Sequence, residues 1–238
     1  MQFEPYKNYP NGLSRNDGTI AFYSMIKSLV TEDSIVLDYG AGRAAWYFDD
    51  KNTLRRDTRN LHGKVKHLIA ADIDSAIFEN QACDEQQLIV DGKLNVENNS
   101  VDLIIADYVL EHISDCEAFV MQINEILRKG GWFCARTPHK YNYISIMASI
   151  IKNTNHAKVL QYAQPGRNEI DVFPTVYKLN TMKSISSYFV GWENHSYIFR
   201  SDPDYYFNNK IIFKLQDILH KVIFKELCGN LFIFIKKC

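Results

Sequence analysis

The chain as a whole carries no surplus of one charge. Lys and Arg total 27 against 28 Asp and Glu, for a net charge of −1, and the isoelectric point is near 6.7. That balance excludes the basic field by which nucleic acids are held. Arg55-Arg56 and Lys236-Lys237 are isolated pairs that read as solvated surface. The five cysteines, Cys83, Cys116, Cys134, Cys228 and Cys238, show no C-x-x-C spacing and are odd in number. They argue for reduced thiols in a cytoplasmic setting. No His, Cys and Asp cluster has metal-ligand spacing, so no metal site is expected, although an oxygen-ligated Mg²⁺ stays compatible with the chain. Met1-Gln2-Phe3-Glu4-Pro5 lacks the charged and apolar regions of a signal peptide. The late apolar run Leu231–Ile235 is five residues long and cannot span a bilayer. Neither an internal repeat nor a low-complexity tract is present.

What the chain does have is a strand that runs into a glycine turn. Ser34-Ile35-Val36-Leu37 suits a buried parallel strand, and Asp38-Tyr39-Gly40-Ala41-Gly42 follows it. Gly40 and Gly42 let the backbone turn tightly against a ligand, and the N–H groups of a following helix can face a nucleotide or carboxylate. Gly40-x-Gly42-x-x-Ala45 also fits the relaxed dinucleotide fingerprint. Asp38 at the strand end tips the reading, because a fixed carboxylate suits an ammonium group and repels a pyrophosphate.

The pattern of strand and then acid recurs. His67–Ala71 ends in Asp72, Gln87–Val90 in Asp91-Gly92, and Val101–Ala106 in Asp107. Strands alternating with helical segments imply βαβ units and a parallel sheet, with ligands outside the carboxyl ends of the strands. Each Asp alone reads as a turn or cap residue; four in register ring one cleft.

Elsewhere the spacing predicts a helix over 19–30, a charged helical stretch over 45–62 closed by Gly63, and a capping box Ser114-x-x-Glu117 opening a helix that Gly130 stops. Trp132–Thr137 reads as the next strand. Gln164-Pro165-Gly166 marks a turn, 180–189 a helix and 193–199 a strand. Ile211, Ile212, Leu215, Ile218, Leu219, Val222 and Ile223 make one broad apolar face of a long helix over 207–225. Leu231–Ile235 is the last strand.

Taken in order, Val36–Gly42, Ala71-Asp72-Ile73-Asp74, Asp91-Gly92, Asn99–Ile104, Val109-Leu110-Glu111-His112 and Leu127–Phe133 resemble class I S-adenosylmethionine-dependent methyltransferases, of the bacterial type 11/12-like kind. The likeness covers roughly residues 30–140. Arg136–Tyr141 and Asp171–Tyr177 are similar to a subgroup associated with surface-glycan or small-metabolite modification. The chain departs from the family pattern at Ala44, where a third glycine would stand. The resemblance implies an α/β fold, a Rossmann-like three-layer sandwich with a mostly parallel seven-stranded sheet, its last strand antiparallel, and helices on both faces. It implies one domain over 1–238: a lid and helix (1–30), a cofactor core (31–137), a substrate cap (138–178) and the C-terminal part of the sheet (179–238).

By the same resemblance, Asp38 with the Gly40, Ala41 and Gly42 backbone holds the methionine end of S-adenosylmethionine, and S-adenosylhomocysteine is the product. Asp72 accepts from the ribose hydroxyls beside Ile73. Asp91 accepts from the adenine amine with Gly92 close to a ring nitrogen, and Asp107 and Tyr108 lie beneath the sulfonium, facing a small-molecule acceptor. Transfer to oxygen benefits from a general base, while an amine needs only to arrive neutral. His139 and Tyr143 are the candidates to face the acceptor, with Arg167 and Asp171 as orienting groups. The expected protein is cytoplasmic, monomeric or homodimeric, and engages neither nucleic acid nor membrane. A nicotinamide-dependent dehydrogenase and a non-catalytic cofactor-binding protein stay open beside it. The first must account for Asp38 and for an acid 30 residues beyond Gly42 instead of about 20.

Overall fold

The computed structural model describes residues 3–143, 145–146, 174–203 and 206–238. Parallel strands β1 (Ile35–Tyr39), β2 (His67–Asp72), β3 (Glu85–Leu88), β4 (Val101–Asp107) and β5 (Leu127–Pro138) are joined by β8 (Gly229–Lys236), antiparallel to β5. Beyond β8 lie β6 (Glu193–Asn194) and β7 (Tyr197–Arg200), both antiparallel to it. The order is β3-β2-β1-β4-β5-β8-β6, with β7 also on β8. Eight segments thus stand where seven strands were expected. β6 and β7 keep one register along β8, Glu193 opposite Lys236 through to Arg200 opposite Gly229. They are a single edge strand interrupted where Asn194 accepts from the Ser196 N–H and Ser196 Oγ accepts from the Phe234 N–H.

Alternation along the strands makes two cores, one per face. Leu37, Ile104, Phe133, Ile233 and Ile235 turn toward α4 (Cys116–Ile126) and α5 (Met182–Tyr188). Val36, Leu103, Ile105, Cys134, Phe232 and Phe234 turn toward Phe22, Tyr23 and Ile26 of α1 (Gly18–Leu29). A side-chain period of two on a sheet covered on both sides gives this three-layer arrangement.

Several local expectations are corrected. The charged stretch 45–62 is two helices, α2 (Trp46–Asp49) and α3 (Thr53–Arg59), because Asp50 and Asn52 bind nearby backbone N–H groups and Asn52 restarts the helix as its N-cap. α4 is capped by Asp115, which accepts from the Ala118 N–H, one residue later than the Ser114 box. It ends at Ile126, before Gly130. Gly130 sits in a left-handed bend within the register shift between β4 and β5 and donates to the Lys237 carbonyl. The long C-terminal helix is α6 (Lys210–Val222), followed by the turn α7 (Lys225–Cys228). Among the described residues no helix is long and apolar enough to cross a membrane. The turn at Gln164-Pro165-Gly166, Arg167, Asp171 and most of the segment 138–178 lie outside the described residues.

Candidate active site

The strand register gathers Asp72, Asp38, Asp107 and Arg136 at the carboxyl ends of neighbouring strands β2, β1, β4 and β5. The glycine turn is built around this edge. Gly40 and Ala41 donate to the Ala71 carbonyl, and Gly42 donates to Asp72 Oδ2 at 2.9 Å. Gly40 has φ +77°, and a Cβ there would lie 2.3 Å from Val109 Cγ2, so only glycine fits. Gly42 differs. The nearest atom to its Cβ position is Asp72 Oδ2, at 3.9 Å, which leaves open space above the turn for a ligand. Ala44, at the position of the missing third glycine, is buried with φ 52°, so the turn keeps a left-handed residue without a glycine.

Asp72 is 8% exposed, with its second oxygen accepting from the Asp74 N–H at 2.9 Å. Ile73 beside it is 62% exposed. Asp91 and Gly92 form an exposed turn with φ 50° and 72°, closed by pairing of Val90 with Lys93. Both central residues have positive φ, as a type I′ turn requires. The Asp38 carboxyl is pushed up to about 7, first by burial, with Asp107 and Asp72 adding to it and Arg59 opposing. A cation placed beside this carboxyl would favour its charged form.

Asp107 behaves otherwise. Arg136 grips both its oxygens, at 2.7 and 2.8 Å; Tyr23 donates at 3.1 Å, and Arg59 stands at 3.5 Å. Burial raises its pKa, but Arg136 and Arg59 outweigh it and hold the carboxyl below the usual range. This carboxylate is committed to the protein and does not line the cavity beyond. Tyr108, at φ 60° and with its ring 4.8 Å from the Arg136 guanidinium, does.

That cavity, about 560 Å³, is walled by the N-terminal segment, the start of α1 and the segment after β7. Its charged lining residues are Glu4, Lys7, Asp17, Arg55, Arg136 and Asp202. Asp17 caps α1 and meets Arg55 at 3.1 Å, while Arg136 is held by Asp107 and donates to Thr19. Asp202 accepts from Ser14, with Tyr6 nearby, and burial raises its pKa. Ser201 Oγ is buried and has no partner among the described residues.

The sequence candidates for the acceptor lie elsewhere. His139 is 4% exposed, its Nδ1 accepts from the Tyr141 N–H at 3.2 Å, and burial lowers its pKa. Tyr143 meets His220 Nε2 at 3.3 Å, and His220 Nδ1 donates to the Ser201 carbonyl at 2.9 Å. Neither His139 nor Tyr143 is among the cavity's lining residues. Arg136, Arg59, Tyr23 and Asp202 received no role from the sequence. Arg136 carried a signal all the same: an arginine inside the apolar strand Trp132–Thr137 needs a buried partner. Among the described residues no group of His, Cys, Asp and Glu is arranged to hold a metal ion.

The fold and the glycine turn are those of a Rossmann-like α/β domain, and comparison gives the family. A family model described as a methyltransferase domain matches residues 20–169. The chain belongs to that family and is an S-adenosylmethionine-dependent methyltransferase. A search of curated protein sequences finds no match. Similar solved structures include an S-adenosylmethionine-dependent methyltransferase from Mesorhizobium loti, 13% identical, TM-score 0.54, covering 93% of this chain and 99% of that one. Another, from Methanosarcina mazei, is 14% identical with TM-score 0.53, covering 90% and 96%. Geranyl diphosphate C-methyltransferase from Streptomyces coelicolor is 10% identical with TM-score 0.56, covering 93% and 78%. At these identities the structures speak for the fold alone.

Proposed function

We propose that this methyltransferase acts on a hydroxyl oxygen of a small, polar, largely uncharged acceptor, such as a sugar of a surface-glycan precursor or a polyhydroxylated metabolite. The observation that carries the reading is the wall of the cavity beside Tyr108. Ser14, Thr19, Tyr206, Asn16, Asn208 and Asn230 offer hydroxyls and amides, while Asp17, Arg55 and Arg136 are already paired. Such a wall exchanges hydrogen bonds with a polyol, and its acids Glu4, Asp17 and Asp202 are balanced in sign by Lys7, Arg55 and Arg136, so it offers little net field to a charged acceptor.

S-adenosylmethionine supplies a methyl group on a sulfonium. The chain's own part is to place the acceptor oxygen in line and to take its proton. Asp38 and the Gly40–Gly42 backbone hold the methionine end, Asp72 and Ile73 the nucleoside, and Asp91-Gly92 the adenine edge. Asp202, made more basic by burial, receives the hydroxyl proton, and Ser14, which donates to Asp202, holds that carboxylate at the cavity wall. Tyr143 and His220 brace that segment through the Ser201 carbonyl, and His139 fixes the turn after β5.

The test is methyl transfer from labelled S-adenosylmethionine to a panel of sugars, nucleotide sugars, phenols and amines. Labelled methyl ethers of sugars or polyols are expected. Product from amines alone would replace oxygen by nitrogen as the acceptor atom, with Asp202 then pairing an ammonium.

A further inference from the structure

α6 turns the wrong side outward for a helix of a water-soluble domain. Ile211, Leu215, Ile218 and Val222 recur at the spacing of one helical face, and they are 70%, 63%, 60% and 77% exposed. Phe224, just past the helix, continues the strip at 78% exposed. The opposite side does the packing. His220 is buried and bonded to Ser201, and the Phe213 ring lies 5.7 Å from Tyr6 and 5.5 Å from Tyr206. A contiguous apolar strip of this kind marks an interaction surface.

The charges beside the strip say what covers it. Lys210, Lys214 and Lys221 fall along one flank of the apolar face, and Lys225 follows at its end. Asp217 and Glu226 are the acids of this stretch, and Asp217 is tied to Lys221 at 2.7 Å. The result is a helix with a strong apolar face, a lysine border and a modest total hydrophobicity. That is the composition of helices that lie in the plane of a membrane interface, their lysines reaching anionic headgroups.

We infer that α6 and Phe224 dock this enzyme onto an anionic phospholipid surface. Docking by the outer face leaves the inner face undisturbed, and the acceptor cavity, lined by Tyr6 and Tyr206, stands about one helix diameter, roughly 10–12 Å, from the lipid. The inference does not rest on the nature of the acceptor. It departs from the expectation that no membrane is involved, since what the sequence excludes is a span and what the structure exposes is an interfacial face.

Co-sedimentation of the full chain with vesicles of phosphatidylcholine, alone or mixed with phosphatidylglycerol, tests it. Binding to the mixed vesicles is expected, with roughly tenfold or greater loss in neutral vesicles. Leu215→Asp with Val222→Asp, and separately Lys210→Glu with Lys214→Glu, should each abolish binding while S-adenosylmethionine affinity and melting temperature stay unchanged. Failure to bind the mixed vesicles overturns the proposal. So does a dimer in sedimentation equilibrium that Leu215→Asp and Val222→Asp dissolve, because a second copy then covers the strip. Equal binding to both vesicle types removes the lysines from the account and overturns the anionic surface as the partner.

Discussion

Asp107 and Arg136 stand opposite each other at the ends of β4 and β5 and form a two-pronged ion pair, both side chains 4% exposed. The pair closes the floor of the site. It joins β4 to β5, and it carries the ring of Tyr108 on its arginine. Two buried charges of this kind tolerate one another's company far better than separation.

Arg136→Met should therefore cost about 3–5 kcal/mol, because it leaves the Asp107 carboxylate buried without its partner. Urea unfolding measures the loss. Arg136→Met with Asp107→Leu should recover most of it, since an apolar pair of similar volume needs no solvation. A single variant within about 1 kcal/mol of the parent would mean that water reaches the pair.

The two glycines of the turn should fail differently. Gly40→Ala meets Val109 and a left-handed backbone, and is expected to cost roughly 1–3 kcal/mol from overpacking and a further ~1–2 kcal/mol from its φ. Val109→Ala should restore part of the first contribution. Gly42→Val, facing open space, should lower melting less and abolish S-adenosylhomocysteine binding. Calorimetric binding at parental strength in Gly42→Val would make that space structural.

Asp38 predicts a pH dependence. Its carboxyl titrates at about 7 when folded against an ordinary 3.8. The folded protein thus holds a proton that the unfolded chain has lost. Its contribution to stability is present below pH 3.8 and is lost as pH rises through about 7. Cofactor affinity should run the other way, rising with pH up to about 7 and levelling above it, because the cationic end needs the carboxylate. Asp38→Asn should flatten both profiles. Isothermal titration at pH 6, 7 and 8 reads the affinity, and an affinity that falls as pH rises would contradict the assignment.

Within the proposed acceptor site, Asp202→Asn should reduce turnover by about 100-fold or more, in the range of a lost general base, with S-adenosylmethionine affinity kept. His139→Ala and Tyr143→Phe should also lower turnover with cofactor binding unchanged, but by less, since they act through the turn after β5 and the Ser201 carbonyl. Turnover unaffected in Asp202→Asn but lost in Tyr143→Phe would move the base to the Tyr143–His220 pair.

Much of this was legible in the chain. Local apolar runs marked most strands, and Asp38, Asp72 and Asp107 fell at strand ends as expected because a parallel sheet puts every carboxyl end on one edge; Asp91 did not, since β3 is Glu85–Leu88 and not Gln87–Val90, which leaves Asp91 in the turn beyond it. Helix ends were less legible. Asp50 and Asn52 split a charged helix, and Asp115 took the cap from Ser114, since several short polar side chains in a row compete for the same N–H groups. The cavity beside Tyr108 was hidden for a different reason. Ser14, Thr19, Tyr108, Ser201 and Asp202 come from three distant parts of the chain and meet only across the folded edge.

The sequence by itself determined the alternating strand-and-helix class, the glycine turn after β1 and the amphipathic character of α6, because each depends on periodicity and on side chains near in sequence. Tertiary structure alone decided that Asp107 is spent on Arg136, that Asp202 and not His139 lines the cavity, and that the apolar face of α6 points outward. Those outcomes depend on which surfaces meet. A helix's pattern states that one face is apolar, and only the packing of His220 and Phe213 against the body settles which side is left to the solvent or to a membrane.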